Sequence, residues 1–87
     1  MARIEEFIRD GKNLMYIDLS GYKTSDTFQE LLKTIESFVA KYPEHSLYTI
    51  TNLENVKIDS NTRRIFAKCL EHNKPYVNTA VSLVLTA

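Results

Sequence analysis

Glycine is almost missing from this chain: Gly11 and Gly21 are its only two. A dinucleotide fingerprint needs three glycines within six positions, and a Walker loop needs two of them ahead of a lysine, so neither phosphate-binding motif exists here. Cysteine is reduced to Cys69, which allows no internal disulfide and frees the fold from an oxidising compartment. Tryptophan is absent, and so is net charge: eleven basic side chains offset eleven acidic ones, and no global field gathers nucleic acid or anionic lipid. The longest mainly apolar stretch, Ala80 to Ala87, falls far short of the ~20 residues that span a bilayer. The opening Met1-Ala2-Arg3-Ile4-Glu5-Glu6 is acidic where a secretion signal is basic and then apolar. These absences predict a cytoplasmic protein with neither membrane insertion nor a nucleic-acid partner.

What is present is an ordinary globular mixture, 44% hydrophobic and 25% charged over 87 residues. A chain of this size buries roughly 64% of its extended surface, enough for one modest core and one domain spanning residues 1–87. Apolar strand-like segments alternate with helical ones, the pattern of an α/β protein with a largely parallel sheet.

The first of these strands is expected over Asn13 to Ser20, with Met15, Ile17 and Leu19 on one face and Tyr16, Asp18 and Ser20 on the other. Gly21 ends it, and Thr24-Ser25-Asp26 offers oxygens to the free amides of a helix. In that helix Phe28, Leu31, Leu32, Ile35, Phe38, Val39 and Tyr42 form one stripe at helical period, and Pro43 stops it. A second strand is expected over Ser46 to Leu53. Asp59-Ser60-Asn61-Thr62 then caps a second helix with Ile65, Phe66, Cys69 and Leu70 inward and Arg63, Arg64, Lys68 and Glu71 outward. Asn73 is expected in a left-handed conformation at its end, ahead of Pro75, and Asn78 to Thr86 forms the last strand. The beginning reads two ways. Ile4, Phe7 and Ile8 have helical spacing, whereas Asp10-Gly11 is a hairpin signal that pairs Phe7–Arg9 with Lys12–Leu14. The strands mix apolar and polar faces, and right-handed crossovers place both helices on one face, so a two-layer sandwich is expected.

Few residues point to chemistry. Cys69 and His72 share one side of the second helix and form one edge of a metal site, but two further ligands lack any motif spacing, and a cysteine on an apolar stripe is a core residue. Asp18 and Asp59 stand near strand ends where parallel sheets place their sites, without a partnering histidine or nucleophile. Arg63, Arg64 and Lys68 make a short basic patch that reads as solvated helix face. Tyr16 and Tyr48 stand on neighbouring strands as cover for the open sheet face or as a binding surface. No cofactor, metal or enzymatic activity is implied.

Three stretches carry a family resemblance: Leu14-Met15-Tyr16-Ile17-Asp18-Leu19-Ser20-Gly21, Ser46 to Leu53 with Asn55, and His72-Asn73-Lys74-Pro75-Tyr76-Val77 ahead of Ala80-Val81. The chain resembles the STAS domain of bacterial anti-sigma-factor antagonists and sulfate-transporter tails, and most closely the small bacterial and archaeal STAS-like proteins. The resemblance implies an N-terminal hairpin followed by β-α-β-α-β. It also implies a non-enzymatic, regulatory module that binds another protein through Asp59, Ser60, Asn61, Thr62 and Arg63. Phosphorylated antagonists open this helix with Asp-Ser-Ser-Gly and modify the second serine; here Asn61 takes that place, leaving Ser60 or Thr62 as the hydroxyls. Such domains usually continue past the last strand into another helix. Where this one stops at Ala87, the expectation is a shortened domain or apolar surface left for a partner or a second copy. A small-ligand binder holding lipid or nucleotide on the same fold, as CRAL-TRIO lipid carriers do, is the alternative reading.

Overall fold

The computed structural model describes residues 3–22, 25–56 and 59–83. The elements run β1 (Arg3–Arg9), β2 (Lys12–Asp18), α1 (Ser25–Val39), β3 (Leu47–Asn52), α2 (Ser60–Asn73) and β4 (Val77–Leu83). The four strands form one mixed sheet in the order β1-β2-β3-β4, with β1 antiparallel to β2 and the remaining pairs parallel. The fold is α/β, an N-terminal hairpin whose second strand, β2, opens a β-α-β-α-β run.

The hairpin resolves the ambiguous beginning. Asp10 and Gly11 both take positive φ, +54° and +74°, as the central residues of a turn whose twist matches that of its strands. Arg9 then faces Lys12 and Phe7 faces Leu14. The helical spacing of Ile4, Phe7 and Ile8 is overridden because Ile4 alone turns towards the core, while Ile8 stands exposed.

Both helices lie on one face of the sheet. Met15, Ile17 and Leu19 from the β2 segment and Leu47 and Leu53 from the β3 segment point into this layer. α1 meets them with Phe28, Leu32, Ile35 and Val39, all at most 2% exposed. Burying each such side chain contributes about 2 kcal/mol, so this stripe holds the layer together. The regular helix ends at Val39, and the amides of Lys41 and Tyr42 donate to the carbonyls of Phe38 and Val39 before Pro43 is reached. Tyr42 ties this turn to β1: its hydroxyl donates to Glu6 Oε1 at 2.7 Å. Thr24 of the expected cap lies outside the described residues.

Three expectations are corrected. β4 begins at Val77 rather than Asn78, after a register shift against Leu47 and Tyr48, and residues 84–86 of the expected strand lie outside the described residues. Asn73 is not left-handed: it remains in α2, and Lys74 closes the helix in the right-handed region at φ −51°. Buried, Asn73 donates from Nδ2 to Cys69 Sγ at 3.6 Å, and its carbonyl accepts from the Tyr76 amide at 3.0 Å. Those two bonds hold it in the helical turn. Leu70, expected inward, is 44% exposed, and the reason lies in the strand opposite. The helix-facing positions of β4 are Ala80 and Ser82, too short to reach it.

The opposite sheet face carries Phe7 on β1, Leu14 and Tyr16 on β2, Tyr48 and Ile50 on β3, and Val81 and Leu83 on β4. No described helix packs there. Tyr16 and Tyr48 are half-buried among their neighbours; Tyr16 Oη accepts from Asn52 Nδ2 at 3.2 Å, and Lys12 Nζ lies 5.5 Å from the centre of the Tyr48 ring.

Candidate functional site at the start of the second helix

A helix that follows a parallel strand begins at the carboxyl end of the sheet, where open α/β sheets place their sites. α2 begins there. Asp59 is extended, and its Oδ1 accepts from the Thr62 amide at 2.8 Å, satisfying one of the helix's unpaired donors. Ser60 and Asn61 are exposed in the first turn, and Asn61 Oδ1 accepts from Arg64 Nη2 at 2.6 Å. Arg63 is exposed beside them. Asp59, Ser60, Asn61 and Arg63 thus share one accessible step.

Thr62 does not belong to it. Its side chain is buried at 8% exposure, turned into a hollow beneath the helix. Of the two hydroxyls in this turn, Ser60 and Thr62, only Ser60 faces solvent. The preceding loop contains residues 57–58, which lie outside the described residues.

The hollow under Thr62 was not legible as a site in the chain. It encloses about 240 Å³ between Phe28, Leu53, Val56, Thr62, Phe66 and Ser82, with Arg63 at its rim. Its lining is almost wholly apolar. It exists because β4 offers only Ser82 where the helix layer needs a large side chain. A second hollow of about 300 Å³ continues along α2, where Phe66, Cys69 and Leu70 face Thr49, Thr51 and Ala80. The signal for the second is the alternation Leu47-Thr49-Thr51-Leu53, which puts two threonines in the layer where β2 supplies Met15 and Ile17.

The remaining candidates separate. Cys69 is buried, and its thiol lies 3.8 Å from the Leu32 carbonyl. Burial, and then the carboxylate of Glu36, push this thiol up to about 12, so it stays protonated at neutral pH. His72 does not join it: the imidazole Nδ1 is paired with Asn73 Oδ1 at 3.1 Å, and the ring lies 6.3 Å from that of Tyr76. Among the described residues no group of three metal-ligating side chains occurs. Asp18 sits on the open-face side of β2, where the Ser20 hydroxyl at 2.6 Å and amide at 3.0 Å donate to Oδ1 and hold the carboxyl below its ordinary range. That places an ionised carboxylate there, a hydrogen-bond acceptor rather than a proton donor.

A polar cleft lies between the two helices, with Lys33 and Glu36 of α1 facing Asn61, Arg64 and Lys68 of α2. The basic patch therefore gains a lysine from α1 and a carboxylate that offsets part of its charge. Among the described residues no helix is long and apolar enough to cross a membrane. No family model matches the chain, and no curated protein matches it either.

Proposed function

We propose that this protein is a non-enzymatic, STAS-like module that binds another protein at the start of α2, in a signalling or regulatory role within the cytoplasm. One observation carries the reading: an apolar hollow of about 240 Å³ opens directly beside the exposed polar step Asp59-Ser60-Asn61 and Arg63. Protein interfaces draw most of their affinity from an anchor side chain in a desolvated pocket, ringed by polar groups that fix its direction. Here Phe28, Leu53, Val56 and Phe66 line such a pocket, and the first turn of α2 is its rim. A leucine- or phenylalanine-sized anchor suits the space.

Ser60 is the point at which this contact is switched. A phosphate on its hydroxyl meets the positive end of α2 and the guanidinium of Arg63, and adds charge at the lip of an apolar pocket. The alternative, a lipid or nucleotide carrier, is less well supported. At the start of α2, about 240 Å³ lies below the ~300–1,000 Å³ typical of small-molecule sites, and the lining lacks convergent polar groups. The second hollow, about 300 Å³, reaches only the bottom of that range.

The test is direct. Purified gently from its host, the wild-type chain carries a partner that Arg63→Glu with Arg64→Glu releases at unchanged melting temperature. Equal recovery of the partner by the double variant removes this surface from consideration. Saturating methyl shifts at Leu53 and Val56 on adding lipid or nucleotide mixtures revive the alternative.

A further inference from the structure

The two outer strands of the sheet are built for different fates. β1 carries Arg3, Glu5, Glu6 and Arg9 along its edge, with Arg3 Nε 3.2 Å from Glu5 Oε1. Charged side chains on a free strand edge deter pairing with another strand. β4, Val-Asn-Thr-Ala-Val-Ser-Leu, has no charge and no proline. Only Val77 of its residues is half-buried, and Val81 and Leu83 remain 46% and 47% exposed. Leu70, also half exposed, flanks the same edge across the second hollow.

We propose that the outer edge of β4 pairs antiparallel with the same edge of a second copy of this chain, joining the two sheets into one of eight strands. The backbone is oriented for it. Leu83 turns its carbonyl towards β3, accepting from the Leu53 amide at 2.8 Å. In a parallel ladder alternate residues bond to the same neighbour, so Thr79 and Val81 face β3 as well, and Ala80 and Ser82 direct their amides and carbonyls outward. A two-fold axis at Val81 sets Ala80 against Ser82 of the second copy, and the reverse, closing four hydrogen bonds. On the open face it sets Val81 against Val81 and Thr79 against Leu83, uncharged throughout.

Every register of β1 brings charged side chains into the seam. An axis at Glu6 opposes Glu6 to itself and, twice by symmetry, Arg3 to Arg9, and an axis at Phe7 sets Glu5 against Arg9. An isologous pairing without any charge is open to β4 and not to β1. Area sets the strength. A five-residue strand pair alone covers far less than the ~800 Å² per partner of a standard interface. Val81 and Leu83 on one face and Leu70 on the other supply the apolar shoulder, which makes a concentration-dependent dimer the expected product. This inference is independent of the partner site at the start of α2.

Sedimentation equilibrium tests it. The expected weight-average mass rises from the monomer's 10.1 kDa towards twice that value with increasing concentration. Val81→Lys abolishes the rise with unchanged circular dichroism, while Ile8→Lys, on the exposed β1 edge, leaves it in place. Hydrogen exchange of the wild type supplies a reading that needs no variant: the Ala80 and Ser82 amides become protected as concentration rises. A monomer at every concentration, a dimer that survives Val81→Lys, or a dimer lost in Ile8→Lys overturns the proposal. Amides of Ala80 and Ser82 that exchange equally fast in the dimer overturn it too.

Discussion

α1 and α2 lie side by side on the same sheet face, yet they are packed very differently. α1 meets Met15, Ile17 and Leu19 with four fully buried side chains. α2 buries only Cys69 among its apolar residues, together with Thr62 and Asn73, and leaves Phe66 half covered and Leu70 exposed. Both helices carry an apolar stripe. What differs is the sheet beneath: large side chains from β2 under α1, and Thr49, Thr51, Ala80 and Ser82 beside α2. An amphipathic stripe is thus only half of a packing interaction. Where the opposing surface is small or hydroxylated, the same stripe leaves hollows.

The contrast is sharpest in large-to-small substitutions. Leu32→Ala on α1 is expected to cost about 3 kcal/mol, because it empties a fully buried site. Leu70→Ala on α2 is expected to cost less than about 1 kcal/mol, since its side chain is half in water already. Urea denaturation measures both, and equal costs would mean that the α2 layer is closed.

Cys69 gives the next effect, because its thiol joins the two helices through the Leu32 carbonyl. Its folded value of about 12 lies above the 9.0 of an exposed thiol, so the folded state retains a proton that the unfolded state loses. The contribution is complete below pH 9 and declines as pH climbs from 9 towards 12. Tyr42, raised to about 12 by burial and by Glu6, loses its share over pH 10 to 12. Cys69→Ala should therefore flatten the alkaline loss of stability below pH 10, leaving the Tyr42 portion. Unchanged alkaline behaviour in that variant would show the thiol to be open to water.

The smallest effect comes from filling the second hollow. Ala80→Leu is expected to raise stability by about 1 kcal/mol, through contact with Leu70 and Phe66. A loss of similar size would show that the hollow is too narrow to accept a side chain from this strand.

Much of the architecture is local and therefore readable along the chain. Asp10-Gly11 marks its hairpin because only a residue pair tolerant of positive φ makes that turn, and the α1 stripe repeats at helical period without a break. Asp59 announces the start of α2 because its carboxylate reaches an amide three residues ahead. The candidate site was legible to the same depth: Asp59, Ser60, Asn61 and Arg63 stand together, as neighbours in one helical turn must.

What only the tertiary structure decides is which of these residues face one another across layers. Thr62 is buried and Ser60 exposed, though both are hydroxyls in one turn, because β4 sets Ser82 beneath the helix instead of a bulky group. Asn73 stays helical because a thiol one turn back and a downstream amide claim its polar groups. Leu70 lies open because Ala80, ten residues further along the chain, is too small to cover it. Periodicity along one element determines which side turns inward; whether that side finds matter to pack against depends on residues that only folding brings opposite.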